Sequence, residues 1–435
     1  MVNSKQMKRP WLRGILRNSL ILVGGIAVGF LLLLAVYALP VDRMEDNVML
    51  SLPTFDGTWG SGEESYEQLL KGYRSTQLDN STDSLMLLTA INRSDEPLTK
   101  QVANVYAYTG SSGLPYLTLR EMGEADFDNS QSTARARYWL GYLVVLKPLL
   151  MVMTYMDVRM LNMLGQGGLV LAIILLMQKR GLGRYIVPFA VSLVCLSPIA
   201  MPFSMQFSTV FYVFAIAMVL MLWKPKFAEE KIGMSTFFLL IGMMTSFIDF
   251  LTYPIASFGM PFLLLMLLRK DNDKQAKTFV QLGIWWVVGY FGMWAGKWLI
   301  AGLFGGEEYF WYNLLSTIDT RSSMESASIP LSYMDVLGSV MSVFAKKPYL
   351  LLGGGIAIGC GVSMYRSRGN RKVLKPSYAL LMALVSVLPF LWYLGTSNHT
   401  YNHAFFTSRG LIVTVFGLLC LITGATEQKQ RIETK

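Results

Sequence analysis

The chain's two histidines, His399 and His403, stand four residues apart in Ser397-Asn398-His399-Thr400-Tyr401-Asn402-His403, with Arg409 shortly after. Side chains four apart share a helix face, so the imidazoles, Asn398 and Arg409 form a donor-rich, partly cationic patch suited to phosphate. His-x3-His is also a metal-ligand spacing, although no third ligand is adjacent; a divalent metal stays open, and no other cofactor is called for.

Carboxylates supply the complementary chemistry. Asp79 and Asp83 lie in Leu78-Asp79-Asn80-Ser81-Thr82-Asp83-Ser84-Leu85. Ser81 or Thr82 would cap a helix carrying Leu85, Met86 and Leu88, with Asp83 in its first turn, where the dipole favours the charged form. The pair suits accepting a proton or holding a cation; the same residues also read as an ordinary Asp-rich turn and cap. Glu45-Asp46 is a second acidic candidate, or the solvated flank of an anchor helix. In Asp157-Val158-Arg159 the arginine either snorkels beside its neighbouring aspartate or presents a fixed cation to an anionic headgroup. Asp249, in Phe247-Ile248-Asp249-Phe250, and Lys297, between Trp294 and Trp298, are polar residues at the edge of apolar runs. Such residues are costly there and usually have a reason. Lys297 either snorkels outward or faces a bundle cavity. Cys195, Cys360 and Cys420 sit inside apolar runs without ligand spacing and read as packing.

The elements that must position these groups are membrane spans. Hydrophobic residues make up 53% of the 435 and charged residues only 15%, against roughly a quarter charged in soluble domains. Apolar blocks of about 18 to 20 residues recur, the length that crosses a bilayer. Soluble enzymes, nucleic-acid binders and disordered tails are excluded, and the net charge of +10 must be read loop by loop. The basic residues Lys5, Lys8, Arg9, Arg13 and Arg17 precede an apolar run at 20–39, longer than a signal-peptide core and read as an uncleaved anchor with a cytoplasmic N-terminus. Residues 40–137 hold 15 Asp+Glu against 8 Lys+Arg, the sign expected of an outside segment. The stretch 138–153 is short and contains Lys147-Pro148, so it reads as an interfacial or re-entrant helix on the outer side. Spans then follow at about 158–177, 185–200, 209–223, 234–248, 254–268, 279–304, 348–365, 377–394 and 410–423. Inward segments hold 23 Lys+Arg against 6 acids, as the positive-inside rule requires. Glycines such as Gly353-Gly354-Gly355, Gly359 and Gly361 would let spans pack closely.

The expected fold is therefore an all-α polytopic membrane protein of about ten transmembrane helices, with a large first extracytoplasmic loop carrying juxtamembrane helices. It divides into a cytoplasmic tail and first helix (1–39), the outer loop (40–157), a nine-helix bundle (158–425) and a cytoplasmic tail (426–435). Acids and cationic donors converge on the outer face. The inner loops carry no phosphate-cradling glycine loop and are too short for a nucleotide domain.

This layout resembles the GT-C superfamily of membrane glycosyltransferases, which use polyprenyl-phosphate-linked sugars outside the membrane. The resemblance lies in the acidic first outer loop, in the run Tyr138-Trp139-Leu140-Gly141-Tyr142-Leu143 leading to Asp157-Val158-Arg159, and in basic residues on later outer loops. It implies a donor of that class, a cell-envelope glycan or lipid acceptor, and inversion by a single displacement. Asp83, with Asp79 beside it, would be the base, and Arg159, His399, His403, Arg409, Asn398 and Lys297 would hold the leaving phosphate. In the family the acidic motif follows the first span closely, so Asp46 remains an alternative base. A lipid-linked glycan flippase and a non-catalytic envelope-assembly protein are the other classes; neither calls for acids and cations gathered at one outer face.

Overall fold

The computed structural model describes residues 10–55, 64–123, 131–269, 275–369 and 374–426. Lys5, Lys8 and Arg9 of the basic tail and residues 427–435 lie outside them. The described chain is mostly helical. Seven helices are long and apolar enough to cross a membrane, and three shorter apolar ones fall at 183–196, 234–248 and 255–268. The chain is a membrane protein.

Helix α1 (Pro10–Tyr37) is 28 residues long, about 42 Å, and leaves Leu16, Leu20, Val23 and Leu31 exposed for lipid. A small helical subdomain follows: α2 (Asp42–Met49), α3 (Asn80–Ala90), α4 (Leu98–Asn104), α5 (Pro115–Glu121) and α6 (Leu143–Leu150). Its only regular strands among the described residues are β1 (Tyr106–Tyr108) and β2 (Ser132–Ala134), antiparallel with Ala107 opposite Thr133. Eight residues of α6 cover about 12 Å, far short of a bilayer. Its Lys147, whose side chain is buried, donates to the Ala90 carbonyl at the end of α3 (2.6 Å). Lys297 does the same for α4, donating to Val102 O (2.8 Å) and Ala103 O (2.7 Å). Each buried ammonium thus satisfies carbonyls left over at a helix C-terminus, where the dipole also favours a cation.

The bundle comprises α7 (Tyr155–Lys179), α8 (Ile186–Ser192), α9 (Met205–Trp223), α10 (Met234–Ile248), α11 (Ile255–Leu268) and α12 (Gln275–Gly305). The span expected at 185–200 is not one continuous helix. The α8 turns carry Pro188, a 3-10 turn continues to Leu196, and Ser197 adopts φ +51° before Pro198. Proline removes helix donors and disfavours helical backbone before it. The loop expected after 304 also differs: it folds into α13 (Glu307–Ser322), the β3–β4 hairpin (Glu325–Ser326, Ile329–Pro330) and α14 (Tyr333–Ser342). Then come α15 (Lys347–Arg366), α16 (Pro376–Gly395), short α17 (Ser397–Asn402) and α18 (Ala404–Thr407), and α19 (Leu411–Ala425).

Close packing is not where the glycine-rich run promised it. Helix α15 buries none of its residues, and a Cβ at Gly353, Gly354, Gly355, Gly359 or Gly361 would meet nothing within 4 Å. The tight crossing is α10 on α12: a Cβ at Gly242 would lie 2.2 Å from Trp286 O, and one at Gly289 2.2 Å from Leu239 O. Two apolar cores result. One, around Leu87, Trp139, Leu143 and Val158, joins the outer subdomain to α1 and α10; the other, around Phe211, Phe238, Phe262 and Phe416, fills the bundle.

Candidate functional site

Asp79, not Ser81 or Thr82, caps α3: its Oδ1 accepts from Thr82 N and its Oδ2 from the Thr82 hydroxyl, both at 2.9 Å. Its own N–H donates to the Ser204 hydroxyl at the start of α9 (3.1 Å), which ties the cap to the bundle. One turn on, Asp83 is fully buried. Arg159 Nη2 reaches its Oδ2 at 3.3 Å and Asn80 Oδ1 at 3.0 Å, and the guanidinium lies 4.9 Å from the Tyr155 ring centroid and 5.4 Å from that of Phe55. The partner of Arg159 is thus Asp83 from the outer loop. The sequence neighbour Asp157 is instead engaged in a capping box with Thr154.

Burial raises the Asp79 carboxyl to about 7; Thr82 lowers it, the Asp83 charge raises it, and Arg409 pulls weakly the other way. The Asp83 carboxyl is raised as well, because desolvation outweighs Arg159. Two carboxyls one turn apart in low dielectric do not both ionise easily.

Asp79 stands in the wall of a polar cavity of about 400 Å³. Arg135, Arg137 and Arg321 line the same cavity, and none of the three has an acidic partner among the described residues. Three guanidinium groups against one lining carboxylate make it an anion site. Arg321, in the last turn of α13, holds His399 Nδ1 (2.7 Å) and donates to the Tyr138 hydroxyl (2.8 Å). A guanidinium only donates, so Nδ1 of His399 accepts and Nε2–H donates to Leu251 O (2.8 Å). Burial and then Arg321 hold the His399 pKa well below its usual value, and the same causes, with Arg74, lower His403 to about 4. Both rings are therefore neutral at pH 7. They line the cavity as neutral hydrogen-bonding groups, where the sequence pattern pointed to a partly cationic pair. Both ring nitrogens of His399 are already engaged, and no three His, Cys, Asp or Glu side chains among the described residues are grouped to hold a metal.

Other expected site residues lie elsewhere. Arg409 is buried over the Phe207 ring (3.9 Å), donating to Leu196 O (3.2 Å) and Phe405 O (2.7 Å). Asn398 donates to the Glu325 carbonyl, and Lys297 is spent on α4. Asp249 caps its own loop, accepting from Thr252 N (3.0 Å) and from the Thr252 and Thr209 hydroxyls. Asp46 is exposed on α2. None of these five lines the cavity.

Sequence reasoning passed over Arg135, Arg137 and Arg321. The signal for Arg321 was present: Asn313, Thr317 and Arg321 repeat at four-residue spacing, one face of a helix, within a segment read as loop. All three carry a buried polar atom without a hydrogen-bond partner (Asn313 Nδ2, Thr317 Oγ1, Arg321 Nε). Helix α13 also exposes Trp311, Tyr312, Leu315 and Ile318, of which Tyr312 lines the cavity as well.

Two apolar grooves adjoin the cavity. One, of about 380 Å³, runs between α13 and α16 past Phe291, Ile318 and Leu391; Arg321 lines both it and the cavity. The other, of about 340 Å³, lies between α6, α7 and α9; Tyr142 lines both it and the cavity, and Arg159 lines its wall. In comparisons with known proteins, no family model, no curated protein and no solved structure matches this chain.

Proposed function

We propose that this protein is an integral-membrane glycosyltransferase of the GT-C type, moving a sugar from a polyprenyl-phosphate donor to an acceptor outside the cytoplasm. The observation that carries the reading is the union of three features in one place. An anion-seeking cavity holds three arginines without an acidic partner among the described residues, a buried carboxyl with a pKa near neutrality stands in its wall, and an apolar groove runs from it along the bundle. A lipid phosphate sugar has the matching parts. Ten spans, with both termini cytoplasmic and the cavity outside, complete the topology, on the charge distribution of the loops.

In this reading the donor's chain lies in the α13–α16 groove and its phosphate meets Arg321, Arg137 and Arg135. Asp79 takes the proton of the acceptor hydroxyl, and that oxygen bonds to the anomeric carbon. The bond from that carbon to the phosphate oxygen breaks, its electron pair leaving with the lipid phosphate. The arginines stabilise the charge that develops there. Asp83 and Arg159 are positioning residues: they hold Asn80 and the first turn of α3, and so the Asp79 cap. Arg409, Asn398 and Lys297 are not needed as phosphate ligands here.

The test is transfer from polyprenyl-phosphate sugars by the purified protein in nanodiscs. Asp79→Asn is expected to lower transfer about 100- to 10,000-fold while donor binding persists, and Asp46→Asn to leave it unchanged. Parent-like transfer by Asp79→Asn would remove the base from this mechanism.

A further inference from the structure

Two apolar grooves leave the same polar cavity, and one lipid-linked donor occupies only one of them. The second groove, between α6, α7 and α9, has its own polar head. Arg159 lines it with a side chain that is 4% exposed; Nη2 carries the hydrogen bonds to Asn80 and Asp83, while Nε is buried without a partner. Tyr155, which also lines it, is buried beside Asp83 and Arg159, with which its hydroxyl interacts. Most of the remaining wall is apolar, with Asn162, Ser208, Thr209 and Tyr212 as its polar members, and part of it faces outward: Val145 is 55% exposed, Leu161 47% and Ile216 47%. From Met205 to Ile216 it follows α9 for about 16 Å. Tyr142 joins it to the cavity that Asp79 lines.

The donor groove is built to the same plan, with an arginine at its head whose Nε is also unpartnered (Arg321) and outward-facing apolar side chains along its length. The two heads differ in what stands beside them. Arg321 of α13 and Arg137, which donates to Ser316 of α13, stand at the donor-groove side, where a leaving phosphate needs cations. The carboxyl pair stands at the Arg159 side, where an attacking hydroxyl needs a base. In a displacement with inversion the nucleophile and leaving group occupy opposite faces of the sugar carbon, and two separate entries meet that requirement.

From this geometry we infer that the acceptor is itself an anionic lipid-linked saccharide, its chain in the α6–α7–α9 groove and its phosphate against Arg159. The inference rests on the glycosyltransferase reading and specifies its acceptor. The protein brings together two lipid-borne substrates that enter from different sides of the bundle, so transfer is completed at the membrane surface without a soluble glycan.

Native mass spectrometry of the full chain in phosphatidylcholine nanodiscs containing polyprenyl phosphate counts the lipids held. The parent and Leu164→Trp, on the lipid face of α7 outside both grooves, are expected to hold two. Ile216→Trp or Val145→Trp, which fill the second groove, should hold one, and so should Leu391→Trp in the donor groove. A single lipid on the parent, two on both second-groove variants, or equal displacement by phosphatidylglycerol would overturn the inference. In transfer assays Ile216→Trp is expected to raise KM for a lipid-linked acceptor by about tenfold or more with donor KM unchanged. Equal use of the same saccharide freed of its lipid would overturn the inference and leave the glycosyltransferase reading standing. Failure to transfer from any polyprenyl-phosphate sugar would overturn the reading beneath it.

Discussion

Asp79 and Asp83 are one helical turn apart and play different parts. Asp79 faces the cavity with its carboxyl raised to about 7; Asp83 lies beneath it, clasped by Arg159. If Asp79 is the base, transfer should rise with pH through about 7, because only the carboxylate accepts a proton; a pH–rate profile flat from 6 to 8 would contradict it. The same shift has a sign for stability. A carboxyl whose pKa rises on folding favours the folded state at low pH, and that contribution is lost as pH climbs through about 7. Asp79→Asn should therefore be neutral to stabilising at pH 8, by up to about 4 kcal/mol, measured as a Tm rise that vanishes near pH 4. Asp83→Asn also removes a carboxyl that burial raises, but it leaves Arg159 buried without its carboxylate, a cost on the order of 3 kcal/mol that should make this variant less stable. For the phosphate site, Arg321→Ala should weaken donor binding about ten- to a hundredfold, a charge-assisted contact contributing roughly 1.5 to 3 kcal/mol. Arg321→Lys should recover only part of that, because an ammonium cannot span both His399 and Tyr138.

At the scale of elements, buried lysines and paired glycines decide how the outer subdomain and the bundle are held. Lys147 and Lys297 close the carbonyl ends of α3 and α4, so they set the positions of the helices that carry and brace the acid pair. Lys297→Met is expected to lose about 1 to 3 kcal/mol through unsatisfied buried carbonyls, seen as a lower Tm with donor affinity preserved. Loss of donor affinity at unchanged Tm would instead make Lys297 a phosphate ligand. The α10–α12 crossing makes a second comparison. Gly242→Ala should destabilise by about 1 to 3 kcal/mol, since its Cβ would sit 2.2 Å from a carbonyl oxygen; Gly354→Ala on open α15 should change little.

On the whole molecule, the proposed topology places the α17 end of the bundle outside and the α15–α16 connection inside. In intact cells an impermeant thiol reagent should label Tyr401→Cys and Ser112→Cys but not Arg368→Cys. All three positions are exposed in the fold, so protection of Arg368→Cys would report the membrane and not burial. Labelling at that position would place the α15–α16 connection outside and undo the inside–outside order on which the cavity's exterior location depends.

Membrane character, helix content and most helix positions were legible in the order of residues, because a bilayer-crossing helix is written as a local run of apolar residues with polar ends. The α10 limits (Met234–Ile248) coincide with those read from the apolar run. Asp83's place in the first turn of a helix was legible too, for caps are local. The interruptions within the 185–200 element were not legible, because an apolar run satisfies a hydropathy window even where Pro188 and Pro198 break the helix. The amphipathic α13 was missed because it has neither the length nor the hydropathy of a span. Which cation meets which acid could not be read along the chain. Arg159 finds Asp83 across 76 residues, a contact made only when the outer subdomain docks on the bundle, and Arg321 finds His399 across 78, a contact made only when α13 packs on α17. Arg409 and Lys297, promising by type and depth, turn out to donate to main-chain carbonyls. The folded backbone brings unsatisfied oxygens to them, and a buried cation must take whatever acceptors the fold supplies.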